Sequence, residues 1–359
     1  MHLRRLWLTD FRSYREADVA FDEGLTAVVG PNGQGKTNLL EAIAYLATLG
    51  SFRGAPSDAL IRAGAERAVV RAEGDREGRS LLLEAELVAG GRNRAQLNRQ
   101  PLRRARDLLG ALRVTVFSPD DLALIKGGPG ERRAYLDDVL VALHPRHEQA
   151  RTDLDRILRQ RGALLKQAGG RLTPEVELTL DVFDAKLVTA GEILAGARRE
   201  LVAEMEPLLG QAYDRVAREQ AEVHATYDPP WMADGLAVAL AASRKDDLRR
   251  GVSTVGPHRD DIDLVIGGLP SRTHASQGEQ RSLALALRLA AHEVVTRATD
   301  AAPVLLLDDV FSELDPDRSD ALLRTLPEGQ TILSTAGVLP QGAVPGSILR
   351  VHDGIVTPG

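Results

Sequence analysis

The stretch Leu25 to Thr37 reads LTAVVGPNGQGKT: a short apolar run, then three glycines spaced ahead of a lysine and a threonine. Gly30, Pro31, Asn32, Gly33, Gln34, Gly35, Lys36 and Thr37 fill every fixed position of the phosphate-loop pattern. What surrounds them agrees. A β-prone run leads in, and from Asn38 to Leu49 the residues Leu39, Leu40, Ile43, Ala44 and Leu46 recur at helical spacing. Glycines let the backbone curl until successive amides point at a phosphate, and the N-terminus of the following helix adds its dipole. Lys36 supplies a point charge for the β and γ oxygens of a triphosphate, and the Thr37 hydroxyl is a hard oxygen for magnesium. ATP and Mg2+ are the cofactors to expect. Gly30 to Asn38 form the nucleotide-binding run, with Lys36 also catalytic and Thr37 a metal ligand.

Working outward, Val304 to Leu307 is wholly apolar, as suits a central parallel strand buried on both faces, and it ends in Asp308 and Asp309. Asp308 is the expected metal partner of Thr37, and Asp309 is placed to orient or deprotonate an attacking water. An apolar run before two aspartates also describes a strand end and helix cap. The upstream phosphate loop favours the metal site. A third element opens with Ser276, Gln277, Gly278, Glu279 and Gln280, where Ser276 and Glu279 have the spacing of a capping box. Leu283, Ala286, Leu287 and Ala290 continue it as a buried stripe toward Thr296, so by themselves these residues describe a well-capped core helix.

At 359 residues the chain exceeds the roughly 250 to 300 that one core usually covers, so two lobes are expected. A formal charge of -6 excludes a protein that coats nucleic acid by bulk attraction, leaving only a local basic face for DNA. Arg99, Arg103, Arg104 and Arg106 are candidates, with Arg53, Arg62, Arg156, Arg159 and Arg161 behind them. A solvated arginine-rich face, or a biased genome, accounts for the same residues. With no cysteine, disulfides and thiolate metal sites are excluded. No signal peptide and no run near about 18 apolar residues is present, so a cytoplasmic protein with no membrane partner is expected.

Residues 3 to 8, 17 to 21 and 25 to 29 predict strands. Ala68 to Arg71, Ser80 to Leu87, Ala95 to Asn98 and Val114 to Phe117 predict an antiparallel sheet. From Glu131 to about Glu222 the pattern is helical. Leu154, Ile157, Leu158, Leu164 and Leu165 would face Leu178, Leu180, Phe183, Leu187 and Ile193 across a break at Gly169 to Pro174. Further strands are predicted at Thr331 to Ser334 and in a terminal hairpin from Ile348 to Val356. The fold class is α/β. One lobe spans 1–118 and 299–359, and an α-helical second lobe spans 119–298.

In place and order, Ser276 to Gln280 resembles the signature motif of ABC ATPases. There a serine, a glycine amide and a helix dipole meet the γ-phosphate held by another subunit. The resemblance implies an ABC-type P-loop ATPase head, a mixed sheet plus an antiparallel β-subdomain. It also implies an ATP-dependent homodimer in which Ser276, Gln277 and Gly278 touch the partner's nucleotide. Glu313, Leu314 and Asp315 look like the D-loop, with Asp315 facing that nucleotide. The chain further resembles the RecF family over its whole length. Asp10, Phe11, Arg12, Ser13 and Tyr14 look like the family's start, in which Arg12 lies near nucleotide. Pro119 to Asp121, Gly127 to Pro129, Arg132, Arg133 and Tyr135 to Asp137, and then Gly256 to Asp260, are similar to its distinctive blocks. Lys36 and Asp308 stand 272 residues apart, far less than in SMC proteins with their long coiled coils.

The resemblance implies a DNA-binding protein of recombinational repair and replication restart. It would act on duplex DNA beside single-stranded gaps, with RecR and RecO as partners and loading of RecA as the indirect result. The resemblance implies a DNA-stimulated, Mg-dependent ATPase, and three departures from the general ABC pattern predict that it is slow. Asp309 replaces a glutamate, Thr331 to Thr335 offer no histidine, and no glutamine lies between Phe117 and Asp121. General-base help is worth roughly 10² to 10⁴ in rate, so a shorter base slows turnover. The ATPase subunit of an ABC transporter is the alternative, and it would lack the helical insert and both distinctive blocks. A P-loop kinase leaves Ser276 to Gln280 unexplained.

Overall fold

The computed structural model describes residues 1–359 apart from 77, 218–220 and 338, with the backbone alone at 313. Part of the expected helical run, at 218–220, thus lies outside the described residues. The chain forms two compact units, one of Met1–Leu122, Leu208–Ala221 and Ser276–Gly359, the other of Ala123–Pro207 and Glu222–Ala275.

The first unit contains a six-stranded mixed sheet in the order Ile355–Pro358, Ser347–His352, Leu25–Val29, Thr331–Thr335, Val304–Asp308, Val114–Phe117. All its pairings are parallel except the terminal hairpin. Every residue of Val304–Asp308 and of Thr331–Thr335 is buried, as parallel strands covered on both faces require. A second six-stranded sheet is antiparallel, built on His2–Phe11, which pairs with Tyr14–Ala20 on one side and Arg67–Arg76 on the other. Its strands alternate as half-buried strands do. Leu3, Leu6, Leu8, Val70, Ala72 and Leu83 point into one core with Leu39, Leu40 and Ile43 of the helix Lys36–Thr48.

Two expectations change here. Val114–Phe117 belongs to the mixed sheet, paired in parallel with the strand from Val304 to Leu307, not to the antiparallel one. A four-residue alternating run fixes which face is buried but says nothing of its partner, which lies far along the chain. The helix Gln277–Thr299 falls in the first unit, whereas 119–298 was expected as one helical lobe. Its Leu283, Ala286, Leu287 and Ala290 are buried as predicted, and two polar contacts fix it beside Phe117: His292 Nδ1 to Thr115 Oγ1 at 3.0 Å and Arg288 to Asp121 at 2.7 Å.

The second unit is mostly helical, with Pro129–Leu143, Arg146–Ala168, Leu236–Arg250 and the long helix Pro174–Ala217, which leaves this unit at Pro207. Gly169, in the left-handed region, ends the second of these and opens the expected hairpin. Leu165 and Leu180 meet there, closed over by Leu248 of a third helix. Leu178 and Ile193 are exposed instead, because a helical residue two positions from buried Leu180, or six from buried Leu187, sits on the far side. A small antiparallel sheet of Val223–Thr226, Asp263–Ile266 and Leu269–Pro270 was not foreseen.

Arg161, a candidate DNA contact by sequence, is fully buried in this unit, donating to Asp184 at 2.7 Å, Asp247 at 2.6 Å and Ser253 at 2.8 Å. No nucleic acid can reach it. Removing one partner of such a cluster leaves uncompensated buried carboxylates, so Arg161→Ala should cost about 3 to 5 kcal/mol. Urea unfolding of the full chain measures it, and a midpoint equal to the parent's would contradict it.

Candidate functional site

Parallel strands leave their ligand crevice beyond their carboxyl ends. Both sequence motifs lie there, since Leu25–Val29 runs into the phosphate loop and Val304–Asp308 ends in its two aspartates. Gly35 adopts φ 115, and a side chain there would lie 2.9 Å from Ser13 Oγ and 3.0 Å from the Tyr14 hydroxyl. Lys36 folds back on the loop, its Nζ donating to the carbonyls of Gly30 at 2.7 Å and Pro31 at 2.9 Å. Burial lowers its pKa, opposed by the negative charges of Asp309 and Asp308.

Thr37 and Asp308 come together, as expected from sequence: the hydroxyl donates to Asp308 Oδ1 at 2.9 Å. Ser334 Oγ donates to the same oxygen at 2.7 Å and accepts from the Asp309 amide at 3.1 Å. Ser334 is therefore committed to the carboxylate. Burial raises the pKa of Asp308, while the Ser334 and Thr37 hydrogen bonds work the other way. Asp309 sits in the left-handed region at φ 49, and its Oδ1 is buried with no hydrogen-bond partner among the described residues. An orphaned acceptor beside a hydroxyl and carboxylate pair fits a hydrated hard cation. Among the described residues no three His, Cys, Asp or Glu side chains cluster, so phosphate and water oxygens would have to complete the shell.

Not every residue of the expected nucleotide-binding run turns its side chain to the loop's interior. Arg12 holds Glu41, on the phosphate-loop helix and itself fully buried, through contacts of 2.8 and 2.9 Å, and donates to the Ala59 carbonyl at 2.9 Å. A nucleotide would have to share that guanidinium. The Asn38 amide donates to Ser13 Oγ at 3.0 Å, and Gln34 faces the C-terminal hairpin. Asn32 and Gly33 are exposed.

The capping box is formed: the Glu279 amide donates to Ser276 Oγ at 3.2 Å and the Ser276 amide to Glu279 at 2.6 Å. Asp315 caps the next helix, Pro316–Thr325, accepting from the Arg318 amide at 2.9 Å. The side chain of Glu313 lies outside the described residues. Arg318 was missed by sequence. Its guanidinium pairs with Asp315 at 3.3 Å and crowds Gly278, where a Cβ would meet Nη1 at 2.5 Å. A cation three residues past the cap was the available signal.

Of the candidate DNA contacts, Arg53, Arg99, Arg103 and Arg159 are exposed. Arg62, Arg104 and Arg156 are held by Asp10, Asp107 and Asp153. The distinctive blocks of the second unit act in its interior: Arg132 grips Asp261 at 2.7 Å, and Arg198 spans Asp137 and the Pro257 carbonyl, both at 2.8 Å. Asp260 accepts from Tyr227 at 2.7 Å and from Trp231 at 2.8 Å. No helix among the described residues is long and apolar enough to cross a membrane.

Residues 2–335 match the family described as RecF/RecN/SMC N terminal domain. The DNA replication and repair protein RecF of Streptomyces avermitilis is 45% identical over 99% of this chain and 99% of its own length. That of Kineococcus radiotolerans is 46% identical over 98% and 96%. Among solved structures, the recombination mediator protein RecF with ATP, described as part of the RecFOR pathway, superposes with a TM-score of 0.91 at 28% identity, covering 100% of this chain and 97% of that one. With its phosphate loop, paired aspartates and capped serine helix in one ABC-type unit, and with full-length kinship at this level, the chain belongs to the RecF family.

Proposed function

We propose that the chain is an ATP-dependent DNA-binding protein of recombinational repair and replication restart. The observation that carries its ATP dependence is the constellation in one unit of Thr37 on Asp308, an orphaned Asp309 acceptor and a capped Ser276. ATP occupies Gly30 to Asn38, where Lys36 turns from the Gly30 and Pro31 carbonyls to the phosphates. Thr37 and Asp308 hold Mg2+, which when bound neutralises charge on the phosphate oxygens. Asp309 accepts a proton from the attacking water, and Arg12 lies at the edge of the site. Ser276, Gln277, Gly278 and Asp315 serve the nucleotide of a second copy, closing an ATP-dependent homodimer on duplex DNA next to a single-stranded gap. RecR and RecO are the protein partners and RecA loading the outcome, in keeping with relatives described by replication, repair and the RecFOR pathway.

A carboxylate one methylene shorter than glutamate reaches less well for the water proton. General-base help of roughly 10² to 10⁴ is then partly lost, and hydrolysis times release. Light scattering of the chain with and without ATP and gapped duplex tests the whole. The expected result is a doubled mass with ATP, retained on DNA, and turnover with DNA below that of motor ATPases. A lone protomer at saturating ATP, or copurification with a membrane protein, would overturn it.

A further inference from the structure

Both ends of the chain converge on the phosphate loop. Ser347–His352 pairs in parallel with Leu25–Val29, Arg350 opposite Val29, so the turn that follows emerges beside the loop that follows Val29. Its geometry is specific. The Asp353 amide donates to Gln34 Oε1 at 2.6 Å, and the Gly354 amide to the Gln34 carbonyl at 3.3 Å. Asp353 and Gly354 both take positive φ, 49 and 72. A side chain at Gly354 would also lie 2.7 Å from the carbonyl oxygen of Ser13. Ser13 in turn accepts from Asn38 at 3.0 Å, and its neighbour Tyr14 donates to the Gly35 carbonyl at 2.9 Å. The turn therefore touches Gln34 directly and reaches Gly35 and Asn38 through the N-terminal turn.

Gln34 spends its side-chain oxygen and its carbonyl on this turn. We propose that Asp353 and Gly354, acting through Gln34, hold the phosphate loop in its nucleotide-ready shape, which makes Gln34 and Gly354 positioning residues for ATP. A glycine-rich loop has many conformations to lose when it wraps a phosphate, and tethering it beforehand moves that entropy cost from binding to folding. Affinity for ATP then depends on a hairpin more than 300 residues downstream, the span that the Asp353 to Gln34 bond closes. The proposal rests on Gly30 to Thr37 being the ATP site.

The test is titration calorimetry of the full chain with MgATP, beside steady-state turnover and a melting curve. Gln34→Ala deletes the side-chain bond to the Asp353 amide and keeps the carbonyl that Gly354 uses, and one modest hydrogen bond corresponds to about fivefold in an equilibrium, so ATP binding is expected to weaken about fivefold. KM should rise more than kcat falls. Gly354→Ala should do the same, and the double variant should be no weaker than the worse single one, because both cut one link. Ile355→Thr, at an exposed position of the same hairpin, should bind as the parent does. If Gly354→Ala fails to fold, Gln34→Ala still decides. Parental affinity in Gln34→Ala, or equal weakening in Ile355→Thr, overturns the proposal. No calorimetric binding of ATP by the parent would instead remove the ATP site itself.

Discussion

Ser276→Arg should abolish ATP-driven dimerisation while weakening nucleotide uptake by each phosphate loop far less. The Ser276 hydroxyl caps the helix Gln277–Thr299, and the Arg318 guanidinium already lies over Gly278. A second cation there opposes the positive end of the helix and fills the space a partner's γ-phosphate needs. Hydrogen bonds to charged groups are worth about 1.5 to 3 kcal/mol, and a twofold interface makes each contact twice. Losing the serine and glycine contacts on both sides thus shifts association by about 10⁴ or more. Sedimentation with saturating ATP reads it directly, and Ser276→Ala, which loses the roughly 1 kcal/mol cap and the hydroxyl contact without adding a cation or bulk, should weaken association far less. A Ser276→Arg dimer in ATP would refute the proposed ATP-dependent homodimer.

Asp308→Asn should remove magnesium-dependent turnover by about 10² or more, since a metal's charge stabilisation is worth several kcal/mol. The same variant should melt higher. Burial raises the Asp308 pKa, so the folded state binds this proton more tightly than the unfolded one. Such a carboxyl subtracts stability as pH rises from the ordinary carboxylate range through its raised value, and the deficit is complete above it. An amide keeps an oxygen for Thr37 and Ser334 without the buried charge. Scanning calorimetry at neutral pH should show the gain, and near pH 3, where the parent's carboxyl is protonated, the two should converge. Equal turnover would count against Asp308 as the metal carboxylate, and a lower melting point at neutral pH against a destabilising buried charge there.

What could be read from sequence was what local spacing determines. Glycines before Lys36, the apolar run into Asp308, and serine three before Glu279 each encode geometry within a turn or two of chain. The structure brings Thr37 to Asp308 and closes the Ser276 cap accordingly. What escaped depends on partners distant in sequence. Val114–Phe117 has the alternation of either sheet, and only Val304 to Leu307 decides between them. Gln34 looks like any loop residue until Asp353 stands beside it, and Arg161 looks like a surface arginine until Asp184 and Asp247 enclose it. Arg318 stands three residues past the Asp315 cap, a spacing that places it on the first turn of its helix but says nothing of Gly278. Its position on Gly278 follows from how one helix start packs on another.

The mixed sheet interleaves strands from the two extremes of the polypeptide, which bears on synthesis at the ribosome. Phe117 leaves the exit tunnel about 190 residues before Leu307, its pairing partner, a delay of about 10 to 40 s at ordinary elongation rates. Through that interval Leu25–Val29 and Val114–Phe117 have no parallel neighbours, and their open edges invite pairing with other nascent chains. Most of the helical unit, by contrast, is complete once residue 275 has emerged. Translation thus finishes the chain of the insert while the mixed sheet still lacks four of its six strands, and holdase chaperones would be needed most in that window.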